Sequence, residues 1–301
     1  MENVYHEGEL KVQNLTGEAT IAAQNGKMIS SQFSNGIINF LKYQQFAVLS
    51  SKDRAGNVWV TFLTGESGFA EVLDEHRIVI RAGLIEGDPL ALEPLERAQI
   101  GLLIIDTNRR IRLRINGTAE KQKEQLIVTA HQIYGNCPKY IQKRSLRPEK
   151  DDFRLLKSEQ RSKELSLKQQ EWISNTDTFY IGSVSKEGEM DVSHRGGNPG
   201  FLHLVNAKTI LFPDYFGNSM YNTLGNIYIN PSTGLLFIDY EHGHSLHLTG
   251  LAEIIWDEEQ ASVFPGAERL VRFNIAEVVQ VKNATEMQWG DTELSPYNPE
   301  G

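Results

Sequence analysis

The chain has 301 residues, 40% hydrophobic and 23% charged, an ordinary globular composition, and its length suggests about two domain-sized units. Thirty Lys and Arg against 39 Asp and Glu give a net charge of −9. This argues against a general nucleic-acid binder, because affinity for a phosphate backbone draws on surplus cation.

The single cysteine, Cys137, excludes an intramolecular disulfide and any Cys-based zinc site. The opening MENVYHEGELKVQ lacks the basic and apolar segments of a signal peptide. No apolar run reaches the ~18 residues a transmembrane helix needs, so a cytoplasmic protein without membrane contact is expected. Residues 1–45 read as a helical segment, with Ile37, Ile38, Phe40 and Leu41 at helical spacing. From Phe46 the pattern changes to short strands: FAVLSS, VWVTFL after the Ala55-Gly56-Asn57 turn, the run from Ile100 to Asp106, and IRLRI at 111–115. Residues 46–142 make up the first predicted unit. Residues 143–175 contain RPEKDD and no strand pattern, and read as a linker entering a surface helix that ends near Trp172 and Ile173. Strand patterns resume at Phe179, within a second unit spanning 176–301.

The second unit repeats the first. FAVLSSKDRAGNVWVTFLTGESGF (46–69) resembles FYIGSVSKEGEMDVSHRGGNPGF (179–201), and Gly68 pairs with Gly200 at an offset of 132. GLLIID at 101–106 pairs with GLLFID at 234–239, and NGTAE with TGLAE, both at 133. Three landmarks in one order at almost one offset indicate a tandem duplication. Each copy reads as a hairpin, a glycine-rich crossing loop, a short helix and two further strands. Six such strands close best as a Greek-key barrel, and two similar barrels would pack face to face about a pseudo-twofold axis. The predicted fold is mainly β, with helices at the N-terminus and in the linker.

The copies diverge in chemistry. SHRGGNPGF supplies Ser193, His194 and Arg195 at a strand end, followed by the hydroxyl- and amide-rich PDYFGNSMYNTLGNIYINP (213–231). Arg offers a planar fork to anionic oxygens, and Ser, Thr and Asn add neutral donors. A helix over 218–229 would add free N–H groups at its start. By the repeat offsets, Leu63 stands for Arg195, Thr61 for Ser193, Pro89 for Asn222, Leu90 for Thr223 and Glu93 for Asn226. One copy is equipped to hold a phosphate and the other is not. The plainer alternative, that Arg195 pairs with a carboxylate and PDYFGN is only a turn, stays open on the residues alone.

SHRGGNPGF and PDYFGNSMYNTLGNIYINPSTGLLFID, together with YGNCPKYIQ (134–142) and HEGE (6–9), resemble the pyridoxamine phosphate oxidase-like FMN-binding split barrels, in their two-barrel flavin-nucleotide-binding branch. The resemblance implies that FMN is the cofactor, with its ring at the interface between barrels and its phosphate held by Arg195, Ser193, Asn218, Asn222 and Thr223. His194 and Asn226 join them as neighbouring candidates. It also implies that the YGNCPKYIQ loop reaches the second unit's flavin through Tyr134, Asn136, Lys139 and Tyr140. Asn-Ser-Met-Tyr-Asn-Thr stands where the vitamin oxidases carry a more basic run, which puts the vitamin substrate in doubt.

Cys137 is read as packed rather than nucleophilic. His242, His244 and His247 straddle a turn and are read as solvated, so no metal site is expected. With no G-x-G-x-x-G and no P-loop, NAD(P)H would have to use the flavin cleft, or electrons would come from a partner protein. The leading function is an FMN-binding oxidoreductase passing electrons or hydride to or from a small molecule, with no catalytic side chain assigned. The alternatives are a non-catalytic flavin or haem binder acting as carrier or sensor, and an interaction protein that has lost its cofactor. One flavin per chain is expected, and a homodimer is the assembly considered, with the oligomeric state left open by the sequence.

Overall fold

The computed structural model describes residues 4–91, 93, 95–147 and 156–300. Three short helices lead: α1 (Glu7–Leu15), α2 (Ala19–Asn25) and α3 (Asn35–Leu41). The first sheet follows as β1 (Phe46–Lys52), β2 (Val58–Thr64), β3 (Ala70–Val72), β4 (Arg77–Ile80), β5 (Ala98–Asp106), β6 (Ile111–Gln122) and β7 (Gln125–Gly135). After β8 (Ser158–Ser162) and α4 (Leu167–Asn175) comes the second set. Its members are β9 (Thr178–Val184), β10 (Met190–Gly196), β11 (His203–Asn206), β12 (Thr209–Tyr215), α5 (Asn222–Ile229), β13 (Ser232–Asp239), β14 (His244–Ile255), α6 (Glu258–Ser262) and β15 (Ala267–Lys282).

Both sheets are antiparallel and follow one order, β2-β1-β5-β6-β7-β4-β3 and β10-β9-β13-β14-β15-β12-β11. GLLIID and GLLFID occupy equivalent strands, third in each order. The match extends to irregularities: the β6–β7 ladder shifts register at Asn116/Gly117 and the β14–β15 ladder at Thr249/Gly250, 133 residues on. Among the described residues no ladder joins β2 to β3 or β10 to β11, so each barrel is split.

Three expectations need correcting. Each unit has seven strands rather than six, because the three-residue β3 and four-residue β11 are too short to show alternation. The linker contains a strand, β8, which pairs with the end of β15; its sequence SEQRS is almost wholly exposed, so no apolar period marks it. RPEKDD, apart from Arg147, lies outside the described residues. The short helix exists in the second unit as α5, whereas the described residues between β4 and β5 form turns.

The apolar run in GLLFID has a packing reason. Successive strand side chains face opposite ways. Leu235 and Phe237 enter the second unit's own core, while Leu236 and Ile238 join the first unit's core across the interface. A strand buried on both faces shows no polar alternation.

The glycine that opens each motif lies where the units cross. A Cβ on Gly101 would stand 2.7 Å from the backbone of Asp191 and Val192 in β10, and one on Gly234 would stand 2.6 Å from the Val58 carbonyl in β2. Neither backbone can yield as a flexible side chain would. Gly101→Ala and Gly234→Ala should each lose roughly 1–3 kcal/mol in urea unfolding. Gly135→Ala is the control, since a Cβ there meets nothing within 4 Å. Equal urea midpoints for all three would contradict the close crossing.

Candidate anion-binding site

The crossing leaves a cleft of about 840 Å³, counted out to its open mouth, with walls from both units. From the first unit come Arg112 and Arg114 on β6 and the loop after β7. From the second come Ser193, His194 and Arg195 on β10, the turn after β12, and the first turn of α5. In IRLRI, alternation sends Leu113 and Ile115 into the core and both arginines to the opposite face. That face would be solvated in an isolated sheet. Here the second unit covers it, and Arg114 is only 5% exposed.

Arg114 is the hub of the cleft. Its Nη1 pairs with Asp191 Oδ1 at 2.9 Å and donates to Tyr134 Oη at 3.1 Å and Asn222 Oδ1 at 3.3 Å; its Nη2 donates to Ser193 Oγ. Ser193 Oγ and Thr223 Oγ1 are 2.9 Å apart. Arg195 pairs with Asp214 at 2.6 Å, and Asp214 also accepts from Arg269 at 3.0 Å. Among the described residues Arg112 has only His194, donating from Nη1 to Nδ1 at 3.3 Å and to the carbonyl at 3.4 Å. No carboxylate lies within ion-pair distance of Arg112 among the described residues.

The cleft thus holds donors that the protein does not use. Nε of Arg112, Nε of Arg114, Nε of Arg195 and Nδ2 of Asn136 are buried with no acceptor, and all four belong to residues lining this one cleft. Burial, with Arg114 and Arg195 close by, pushes Arg112 down to about 9. His194 is held well below its ordinary value by burial and then by Arg112, Arg144 and Arg195, so its ring is neutral. The start of α5 adds to this: no side chain caps it, leaving first-turn N–H groups for an acceptor in the cleft. Tyr140, Ser219 and Tyr221, all lining the cleft, have φ of 65°, 60° and 60°. Left-handed backbone at non-glycine residues costs of order 1 kcal/mol each and persists where surrounding structure enforces it.

Nine of the eleven candidates line the cleft: Ser193, His194, Arg195, Asn218, Asn222, Thr223, Asn136, Lys139 and Tyr140. Asn218 Nδ2 donates to Asn136 Oδ1 at 2.9 Å, joining the two loops. Lys139 Nζ lies 4.5 Å from the Phe216 ring centroid. Tyr134 and Asn226 do not line it. Tyr134 is buried behind Arg114 as its hydrogen-bond partner. Asn226 is one helical turn further on, donates to Ser183 Oγ at 3.0 Å and faces a neighbouring pocket with His6 and Glu9. Cys137 also lines the cleft rather than packing in a core. Arg112 and Arg114 are the residues that sequence reasoning missed; the one available signal was two arginines two apart in a strand.

The equivalent strand positions in the other half are fully buried. Strand-for-strand matching sets Ser245 and His247 over Arg112 and Arg114, and Thr61 and Leu63 over Ser193 and Arg195. His247 is not solvated, contrary to expectation, but fully buried. Its Nδ1 meets the Val60 carbonyl at 2.8 Å, and its Nε2 meets Ser245 Oγ at 2.8 Å with Asp88 Oδ2 at 3.7 Å. Thr61 donates to the same Asp88 carboxylate. Where the other half has arginines, this half has Asp88 engaged by Thr61 and lying against His247, and burial raises its carboxyl.

Arg112 can be removed without stranding a counter-charge. Arg112→Met should therefore keep or raise stability without ligand, by roughly 1 kcal/mol or more. It should also weaken sulfate or phosphate binding at least tenfold, read by calorimetry. Destabilisation with unchanged anion affinity would contradict the assignment.

Residues 165–286 match the family model described as pyridoxamine 5'-phosphate oxidase. No curated protein matches the chain significantly. Among solved structures, the chain is similar to HupZ of Group A Streptococcus at 16% identity, covering 38% of this chain and 91% of that one with a TM-score of 0.32. It is similar to a putative pyridoxamine 5'-phosphate oxidase of Lactobacillus delbrueckii at 20% identity, covering 39% and 94% with a TM-score of 0.33. HutZ of Vibrio cholerae, described as a haem storage protein, follows at 13% identity, covering 38% and 92% with a TM-score of 0.29. The matched stretch, residues 165–286, holds most of the second unit and is what ties this chain to the pyridoxamine 5'-phosphate oxidase family model.

Proposed function

We propose that the cleft binds FMN and that the protein is an FMN-dependent oxidoreductase acting on a small molecule. The observation that carries this reading is the set of four buried donors without acceptors, three of them arginine Nε groups, around one cleft. A phosphomonoester carries about −1.5 to −2 charge and three strong acceptor oxygens at neutral pH, which fits that donor set. Arg112, Arg114, Ser193, Thr223 and the first turn of α5 would hold the phosphate, and Arg195 would add charge from beside Asp214. The flavin, when bound, supplies hydride or single-electron transfer.

The residues of this chain supply position and field. His194, neutral and accepting from Arg112, orients that guanidinium rather than moving a proton. Lys139 has no carboxylate partner among the described residues and brings an unpaired cation to the mouth. No lining side chain combines an unengaged base with a position that hydrolysis would need, which suits transfer of hydride or electrons. The electron donor on this reading is NAD(P)H entering the same cleft, or a partner protein.

The purified protein should be yellow and release FMN on heating, and NADH or NADPH should bleach it. A yellow protein that no reductant turns over would instead support the carrier reading, and a haem spectrum would overturn the flavin one. Arg195→Leu copies the other unit and leaves Asp214 paired with Arg269. It should cost roughly 2–3 kcal/mol of FMN binding, about thirty- to more than a hundredfold in Kd by flavin fluorescence quenching. Leu63→Ala should leave Kd unchanged. Wild-type affinity in Arg195→Leu would count against the site.

A further inference from the structure

The N-terminal helices reach the cleft from behind. Gln13 Nε2 donates to the Met220 carbonyl at 3.0 Å, Asn25 Nδ2 to the Asn218 carbonyl at 2.8 Å, and Tyr221 Oη to Glu18 at 2.9 Å. These bonds brace the turn that contains the left-handed Ser219 and Tyr221. At the start of α1 the contact with α5 is backbone on backbone. A Cβ on Gly8 would fall 2.1 Å from the Gly225 carbonyl oxygen, and one on Gly225 would fall 2.5 Å from Glu9 N. That approach delivers Glu9, 4% exposed, to the first turn of α5, where Asn222 Nδ2 donates to its Oε1. Its Oε2 accepts from His6 N at 2.8 Å. Asn222 in turn accepts from Arg114, so one amide links the carboxyl to the hub of the cleft.

We propose that Glu9 is a positioning residue of the anion site: through Asn222 it sets the first turn of α5 against Arg114, and by gaining or losing a proton it sets how tightly the cleft holds an anion. The inference rests on the anion-binding reading of the cleft. Glu9 also borders the neighbouring pocket, whose mouth carries the exposed His131 and Glu189, so protons reach it without crossing the anion site. The groups that face it are His6 and Tyr5 on its own segment, Arg114 on β6, Tyr134 on β7, Asp191 on β10 and Asn222 on α5. Burial first, and then Asp191, raise its carboxyl to about 8. It therefore carries its proton at neutral pH and loses it as pH rises through that value. The ionised form adds a second negative charge beside Asp191 and draws on Arg114, so anion affinity falls with rising pH. By linkage a bound anion raises the Glu9 value further.

The test titrates FMN, by fluorescence quenching, and sulfate, by calorimetry, into wild type, Glu9→Gln and Glu9→Ala from about pH 7 to about pH 8.7. With a second pKa of about 6, a phosphomonoester is mostly doubly ionised at pH 7 and gains slightly more charge above it, which would raise affinity rather than lower it, while sulfate keeps a constant charge. Wild-type affinity for both probes should fall severalfold across the range, up to about fivefold, the limit for one proton released near pH 8. Glu9→Gln should fall by no more than about twofold, the share that Arg112 contributes, and at neutral pH should stay within a few fold of wild type, because its amide oxygen can still accept from Asn222. Glu9→Ala should bind at least tenfold more weakly than Glu9→Gln at every pH, because it loses the contact with Asn222. Arg112 loses charge only near the top of the range and does so in all three proteins, which separates its contribution. A flat wild-type curve, or a Glu9→Gln curve that follows a falling wild-type one, overturns the proposal. If FMN fails to bind while sulfate shows the Glu9-dependent fall, the flavin reading fails and the role of Glu9 stands. If neither probe binds, both fail.

Discussion

Burying a guanidinium is costly unless a counter-charge or a full set of acceptors meets it. Arg112 meets only a neutral imidazole and a carbonyl, while Arg114 and Arg195 each retain an unused Nε despite their carboxylate partners. The surrounding structure holds this arrangement in place. The strand that carries Arg112 and Arg114 has a core face of Leu113 and Ile115, so the arginines cannot turn outward without undoing the first unit's packing. The second unit is locked over them by backbone contacts at Gly101 and Gly234. The fold thus concentrates positive charge and unused donors in one place, and an anionic ligand is the natural complement.

The two halves show how little sequence separates a binding cleft from closed packing. Both sheets share strand order, register and even the position of a register shift. In one half, facing strands present Arg112, Arg114, Ser193 and Arg195. In the other, the same positions present Ser245, His247, Thr61 and Leu63, which close on Asp88. Every polar group of that triad of Thr61, Asp88 and His247 has a partner inside the protein, so the second arrangement adds rigidity, whereas the first leaves capacity for a ligand. The N-terminal helices deepen the asymmetry, since they brace the Asn218–Tyr221 turn of one half only.

Much of this was legible in the sequence, and the exceptions have physical causes. The repeat gave the equivalence of β5 and β13, because a strand buried on both faces has to be apolar throughout and its glycine has to be free of a side chain. SHRGG and the amide-rich turn pointed to six residues that do line one cleft, and YGNCPKYIQ to three more. Arg112 and Arg114 were hidden because period-two alternation looks the same whether the polar face meets water or a docked second sheet. Asn226 was misplaced because residues four apart share a helix face, yet only the first turn of α5 reaches the cleft. The solvated reading of His247 failed because it stands three residues beyond His244 on the same strand, and so faces the opposite way, into the interior. Strand β8 carries no apolar residue to mark it.

The central claim is that one cleft per chain, and not its counterpart, holds the flavin phosphate. Calorimetric titration of the cofactor-free protein with FMN measures that number directly. The account predicts one FMN per chain, with that binding lost when Arg112 and Arg114 are replaced together. Two FMN per chain, or one that survives the double replacement, would contradict it.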